Sequence, residues 1–132
     1  MEAKDSLPLT ETSFFILFSL VTPKHGYAII KEVDKMSEGR VRLAAGTLYT
    51  ALRRMLEDGW IERVDDGRPG SGYEGRERKL YQLTGFGQAL LNLETDRLKA
   101  LVNLASSRKA ASQEWTAGRE SYTNWVSAFS NA

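Results

Sequence analysis

Apolar residues recur along this chain with two periods, one typical of helices and one typical of strands. The helical period of three to four residues marks four segments, each bounded by residues that favour a helix end. We therefore predict helices from Glu11 to just before Pro23 and over residues 26–37, 45–58 and 85–106. Thr10 and Thr84 are the predicted N-caps of the first and last helices.

Alternation of apolar and polar residues predicts three short strands, at residues 40–43, 60–64 and 78–83. The segment between the last two strands, residues 65–77, is rich in glycine and polar residues, as a long hairpin tip would be. A pair of helices followed by a hairpin predicts a mainly α fold with a small β-hairpin wing. The predicted organisation is a winged helix-turn-helix at 8–84, a long C-terminal dimerisation helix at 85–106 and a tail at 107–132.

The predicted third helix has two different faces when its residues are placed at helical spacing. Its inward face is apolar and consists of Ala45, Leu48, Leu52, Met55 and Leu56. Small hydroxyl side chains and arginine project from the other face, where they suit the major groove of double-stranded DNA. An ordinary amphipathic surface helix has a similar pattern, so this helix alone does not decide the function. The candidate DNA contacts on it are Gly46, Thr47, Thr50, Arg53 and Arg54.

Basic residues concentrate in the middle of the chain. Residues 40–79 contain nine Lys and Arg, eight of them Arg, against seven acids, whereas residues 1–39 contain four against six. Arginine binds phosphates and guanine edges through two parallel hydrogen bonds. Glu74 and Glu77 dilute the charge of the hairpin, so we expect it to contact phosphates rather than bases. Its candidate DNA contacts are Arg68, Arg76, Arg78 and Lys79.

The last helix carries a broad apolar half that contains two charged residues, Glu94 and Arg97. This pattern favours a seam between two subunits, in which the charged pair sets the register or lines a polar spot in a cavity; a surface pair at the edge of the stripe is the alternative. The first helix is apolar almost all round, so a second surface must cover it. The predicted homodimer interface consists of Phe14, Phe15, Phe18, Leu90, Leu93, Glu94, Arg97, Leu101 and Leu104.

The composition argues against several other functions. The chain has one histidine and no cysteine, and it shows neither metal-ligand spacing nor a phosphate-binding loop, so we expect no enzyme activity, no metal and no cofactor. Its longest apolar run, residues 14–21, is far shorter than the roughly 18 residues of a membrane span. Acids stand at the N-terminus where a signal peptide would be basic, so we expect a cytoplasmic protein.

Four motifs together resemble the PadR family of bacterial winged-helix transcriptional regulators, over residues 8–106. These are His25-Gly26-Tyr27, the segment from Gly46 to Met55 that begins Gly-Thr-Leu-Tyr, Asp58-Gly59-Trp60-Ile61, and Arg78 to Thr84. The resemblance implies a dimer, a DNA operator of two half-sites, and DNA contacts from Tyr49 and the third helix. The sequence departs from the family where Ala44-Ala45 replaces the usual small polar N-cap, and where a tail of about 25 residues follows the last helix.

The resemblance also implies an effector, which in this family is often a flat aromatic or amphiphilic compound. Relatives that bind planar drugs use a tryptophan on the last helix, but here none lies between Phe86 and Ser106. Trp115 or Trp125 would have to supply the ring. Trp125 is the candidate that we choose, because Tyr122, Trp125, Val126 and Phe129 follow helical spacing; this part of the tail is either a docked helix or a mobile segment. The candidate effector contacts are Phe14, Phe18, Arg97 and Trp125. We expect a repressor, with a winged helix that binds protein instead of DNA as the alternative.

Overall fold

The computed structural model describes residues 2–65 and 79–109, which form four helices and one hairpin. A short 3-10 turn, Ala3–Ser6, precedes α1 (Glu11–Ser19), α2 (Gly26–Met36) and α3 (Ala45–Glu57). The strands β1 (Ile61–Asp65) and β2 (Lys79–Leu83) are followed by α4 (Gly85–Lys109). The chain divides into two compact units after Glu94, so the first ten residues of α4 belong to the first unit. Within the described residues, none of the helices has the length and apolarity that crossing a membrane requires.

The first helix begins as predicted and ends earlier. Thr10 is the N-cap, and its side chain accepts a hydrogen bond from the backbone N–H of Ser13 at 3.0 Å. The helix was predicted to run almost to Pro23, but it ends at Ser19, because the amides of Leu20 and Val21 bond to carbonyls only three residues back. Its middle residues are fully enclosed within the protomer, so α1 is the central helix of the first unit.

The predicted strand at residues 40–43 is wrong. These residues follow the turn that ends α2 and have no regular secondary structure, and the Ser37 hydroxyl accepts a hydrogen bond from the Val41 amide at 2.9 Å. A strand needs the backbone of a neighbouring strand, and here a side chain takes that role. The backbone that instead joins the hairpin is that of Lys24, which exchanges two hydrogen bonds with Tyr81 (3.1 and 2.8 Å).

The hairpin and the start of α4 are joined by a close backbone contact. β1 and β2 are antiparallel, with Ile61 opposite Leu83 and Asp65 opposite Lys79. The Thr84 hydroxyl caps α4 by accepting from the Gly87 amide at 3.0 Å, as predicted. A Cβ atom at Gly87 would lie 1.9 Å from the backbone oxygen of Trp60, so only glycine fits there.

The apolar core of the first unit lies between α1, α2, α3, β1 and the first turns of α4. Leu48, Leu52 and Met55 point inward from α3, as the helical spacing predicted. Ala45 was predicted to point inward with them, but it is exposed because it stands in the first turn, at the end of the helix. The buried hydrophobic residues are Phe15, Ile16, Leu17, Leu20, Ile29, Val33, Leu48, Leu52, Met55, Ile61, Leu90 and Leu91.

Candidate nucleic-acid interface

The exposed face of α3 is the centre of the candidate interface. It lies opposite the buried leucines, and every α3 residue that the sequence proposed as a DNA contact is solvent-exposed on it or beside it. These residues are Gly46, Thr47, Tyr49, Thr50, Arg53 and Arg54. The helix starts without a side-chain cap at Ala44, so its first N–H groups are not bonded by an N-cap side chain.

A basic cleft of about 550 Å³ lies on the hairpin side of α3. Three cationic side chains from different elements line it: Arg53 from α3, Arg63 from β1 and Lys79 from β2. No acidic residue is among its described lining residues. The cleft therefore offers concentrated positive charge beside the exposed face of α3, and we call it the hairpin-side cleft.

Tyr49 and Gly26, the first residue of α2, line this cleft side by side. A Cβ atom at Gly26 would lie 2.5 Å from the Tyr49 hydroxyl, so the absence of a side chain at Gly26 allows the tyrosine ring to reach the first turn of α2. His25, the residue before α2, pairs through Nδ1 with the backbone oxygen of Lys79 at 2.9 Å. These contacts fix the relative positions of α2, α3 and β2 around the cleft.

Tyr81 also lines this cleft, and the pKa of its phenol is shifted by its neighbours. Burial raises the pKa of its phenol, and the neighbouring Tyr49 raises it further, whereas the Arg63 guanidinium lowers it. The ordinary pKa of a tyrosine is already far above 7, so the Tyr81 phenol is a neutral hydrogen-bond donor at neutral pH, and the shift moves its pKa further from that range. The cleft thus combines a neutral hydroxyl donor with three cations, and groups of both kinds bind phosphate oxygens.

A second groove, of about 890 Å³, lies on the other side of α3 and differs in charge. The N-terminal segment (residues 5–13) forms one wall and α3 the other, and we call it the N-terminal groove. Its described lining residues include one cation, Arg54, two acids, Asp5 and Asp58, and the hydroxyl residues Thr47 and Thr50 of the exposed face of α3. The Arg54 Nε lies 4.0 Å from a carboxylate oxygen of Asp58, and both side chains are open to solvent, so this pair is a weak one.

Trp60 also lines the N-terminal groove, and the hydrogen bonding of its indole N–H is unusual. Its Nε1 is buried and has no hydrogen-bond acceptor among the described residues. Trp60 stands between α3 and β1, and it lines the groove together with Ala51 and Met55 of α3.

One of the four DNA contacts predicted on the hairpin lies within the described residues. Lys79 is exposed at the start of β2, whereas Arg68, Arg76 and Arg78 lie outside the described residues. Arg63 was not among the predicted contacts, because alternation predicts which strand residues face solvent but not which of them border another element. Gly26 and Tyr81 were not predicted as cleft residues either, although both stand inside the PadR-like motifs.

The predicted dimer interface needs a correction. Phe15 (2% exposed), Leu90 (0%) and Glu94 (1%) are already enclosed by their own protomer, so they have no surface left for a partner. The Glu94 carboxylate is not part of an exposed seam, because it accepts a hydrogen bond from the Leu9 amide at 3.0 Å and so attaches the N-terminal segment to α4.

Other apolar side chains of the predicted interface are exposed to solvent. Phe18 is 48% exposed, and its ring stacks on Phe14, with centroids 6.0 Å apart. Arg97 is half-buried, and Trp125 lies outside the described residues. Exposed apolar residues on α4 include Leu93, Leu98, Leu101, Val102 and Leu104, of which Leu93, Leu101 and Leu104 were predicted to lie in the dimer interface.

Together, the α2–α3 pair, the following hairpin and the long last helix define a winged-helix protein of the transcription-regulator class. Residues 16–93 match the PadR-like family of transcriptional regulators, which is more than half of the chain. The protein belongs to this family, as its motifs indicated. A search of curated proteins found no match.

Solved structures agree with this assignment. A PadR family transcription regulator from Clostridium difficile R20291 is 27% identical, over 74% of this chain and 97% of that protein, with a TM-score of 0.62. A PadR-like transcription factor from Bacteroides fragilis is also 27% identical, over 73% and 87% of the two chains, with a TM-score of 0.59. MarR from E. coli shares the fold, with 21% identity over 94% and 82% and a TM-score of 0.57.

Proposed function

We propose that the protein is a sequence-specific DNA-binding regulator that acts as a homodimer, with each subunit placing α3 in the major groove of one half-site. The observation that carries this proposal is the exposed face of α3 beside the hairpin-side cleft, where three cations and no described acid converge. In this arrangement the cleft binds the phosphates of one strand, while Thr47, Thr50 and Arg54 face the bases.

The charges on the two sides of α3 also support an orientation for the duplex. Phosphates are attracted to the hairpin-side cleft and are less favoured in the N-terminal groove, which carries two acids and one arginine. One of the two sugar-phosphate backbones that border the major groove therefore crosses the protein on the hairpin side. Arg68, Arg76 and Arg78 extend the phosphate contacts from the hairpin in this proposal.

The homodimer in this proposal is supported by the open leucines of α4 and by the half-exposed ring of Phe18, because side chains of this size seldom cluster on a monomer surface without a partner. A two-fold dimer would read half-sites about 34–36 Å apart, which is one turn of DNA. We further propose that the protein is a repressor, released when a flat aromatic effector meets the Phe14–Phe18 pair, Arg97 and Trp125.

The test is equilibrium binding to an operator duplex and to random duplex, each measured over a salt series. Arg54→Ala should weaken operator binding by about 1–3 kcal/mol and random binding much less. Arg53→Gln and Arg63→Gln should weaken both duplexes alike and lower the salt slope by about 0.9 for each phosphate that is no longer neutralised. Arg42→Gln is the matched control, because Arg42 is an exposed arginine outside the cleft.

Two results would contradict the proposal. If Arg42→Gln reduces binding as much as Arg63→Gln does, the cleft is not the phosphate site. If wild-type binding to every duplex is weak and insensitive to salt, the winged helix binds protein instead of DNA. Candidate aromatic acids added to the operator complex test release by an effector in the same assay.

A further inference from the structure

Two threonines on the exposed face of α3 differ in the bonding of their hydroxyl groups. The Thr50 hydroxyl donates its proton to the backbone oxygen of Gly46, one turn earlier, at 2.9 Å. The Thr47 hydroxyl makes no hydrogen bond to any other residue in the part of the chain that the structure describes. A hydroxyl group has one proton, so Thr50 presents lone pairs and a methyl group to a ligand, whereas Thr47 keeps a proton to donate.

This difference limits the base pairs that Thr50 can face. In the major groove guanine presents two acceptors, O6 and N7, which would meet the lone pairs of Thr50 without a proton between them. An A·T pair presents an amino donor at adenine N6 and a methyl group at thymine C5. The oxygen of Thr50 matches the first of these groups, and its γ-methyl group matches the second.

We propose that Thr50 is a specificity-determining residue that selects an A·T pair at one position of each half-site. Its oxygen accepts a hydrogen bond from the adenine amino group while its hydroxyl proton remains directed at the backbone oxygen of Gly46, and its methyl group packs against the thymine methyl. A C·G pair satisfies this arrangement less well, because it has no methyl group and presents the acceptor N7 of guanine where the thymine methyl group would stand. This assignment rests on the proposed DNA-binding function.

The first stage of the test is selection of duplexes from a random pool by the full-length wild-type protein, Thr50→Val and Thr50→Ser. The wild type should prefer A·T over G·C at one pair in each half-site by roughly tenfold. Thr50→Val keeps the γ-methyl group and replaces the hydroxyl with a second methyl group, so it lacks the acceptor and should lose most of that preference. Thr50→Ser keeps the hydroxyl and lacks the methyl group, so it should lose only part of it.

The second stage replaces single groups on the DNA. Purine in place of adenine removes the N6 amino group and should weaken wild-type binding several-fold, but it should not affect Thr50→Val. Uracil in place of thymine removes the methyl group and should weaken wild-type binding but not Thr50→Ser. Each pair of changes forms a double-mutant cycle, which isolates the contact between the two groups.

Thr47→Val is the matched control, since Thr47 is an exposed threonine on the same helix face whose hydroxyl is not bonded to the helix. It should lower affinity without removing the A·T preference. A preference for G·C at the pair that responds to Thr50→Val, or an unchanged base preference in both Thr50 variants, overturns the assignment while leaving the proposed function intact. Wild-type binding with no base preference at any position overturns both.

Discussion

The two halves of α4 differ in burial although their sequences look alike. In the first half, Leu90 and Glu94 are enclosed by the first unit, and Gly87 touches the backbone of Trp60. In the second half, Leu101, Val102 and Leu104 are about half-exposed or more. Both halves carry leucines at helical spacing. Periodicity therefore indicates that one face of a helix will be buried, but it does not indicate which part of the chain or which partner buries it. The first half is covered by its own chain; the second, in our proposal, is covered by a second copy.

The sharpest test of this difference replaces one leucine in each half. Leu90→Ala should lower the free energy of unfolding by about 2–5 kcal/mol, because it leaves a cavity in a closed core. Leu101→Ala should instead weaken the dimer, so its effect on stability should change with protein concentration. Chemical unfolding at two concentrations, with light scattering for the oligomeric state, separates the two effects. A wild-type protein that is monomeric at micromolar concentration would contradict the proposed cover.

A second test concerns the backbone contact that closes the first half. Gly87→Ala places a Cβ atom against the Trp60 carbonyl, so it should destabilise the protein by about 3 kcal/mol. Gly85→Ala, two residues earlier in the same helix, meets no atom within 4 Å and should be neutral or slightly stabilising. Thermal unfolding followed by circular dichroism gives both values. Equal effects of the two substitutions would show that α4 can move away from Trp60 at little cost.

The smallest expected difference compares two hydroxyl groups, one in each unit. Thr84 caps α4 and also donates to backbone oxygens of the segment that joins α3 to β1, so Thr84→Ala should cost about 1 kcal/mol. Ser107 donates to the Leu104 carbonyl on an exposed turn, and Ser107→Ala should change stability by less than about 0.5 kcal/mol. Urea unfolding resolves this difference. A larger loss from Ser107→Ala would mean that the second half of α4 is covered in solution at this position.

Local sequence signals predicted most of the elements because each signal acts within a few residues. Thr10 and Thr84 cap their helices by bonding an amide three residues ahead, which any sequence reading can recognise. The alternation at residues 40–43 failed as a strand signal because a strand depends on a partner elsewhere in the chain. Instead of pairing with a strand, the Val41 amide donates its hydrogen bond to the hydroxyl of Ser37, four residues earlier.

The candidate site was only partly predictable for the same reason. The sequence by itself determined the exposed face of α3, since helical spacing separates Thr47, Thr50 and Arg54 from the buried leucines. Only the tertiary structure decided that Arg63 joins Arg53 and Lys79 in one cleft, and that Glu94 bonds Leu9 instead of facing a partner. Period and capping are properties of adjacent residues, whereas a cleft or a buried carboxylate depends on which distant elements pack together.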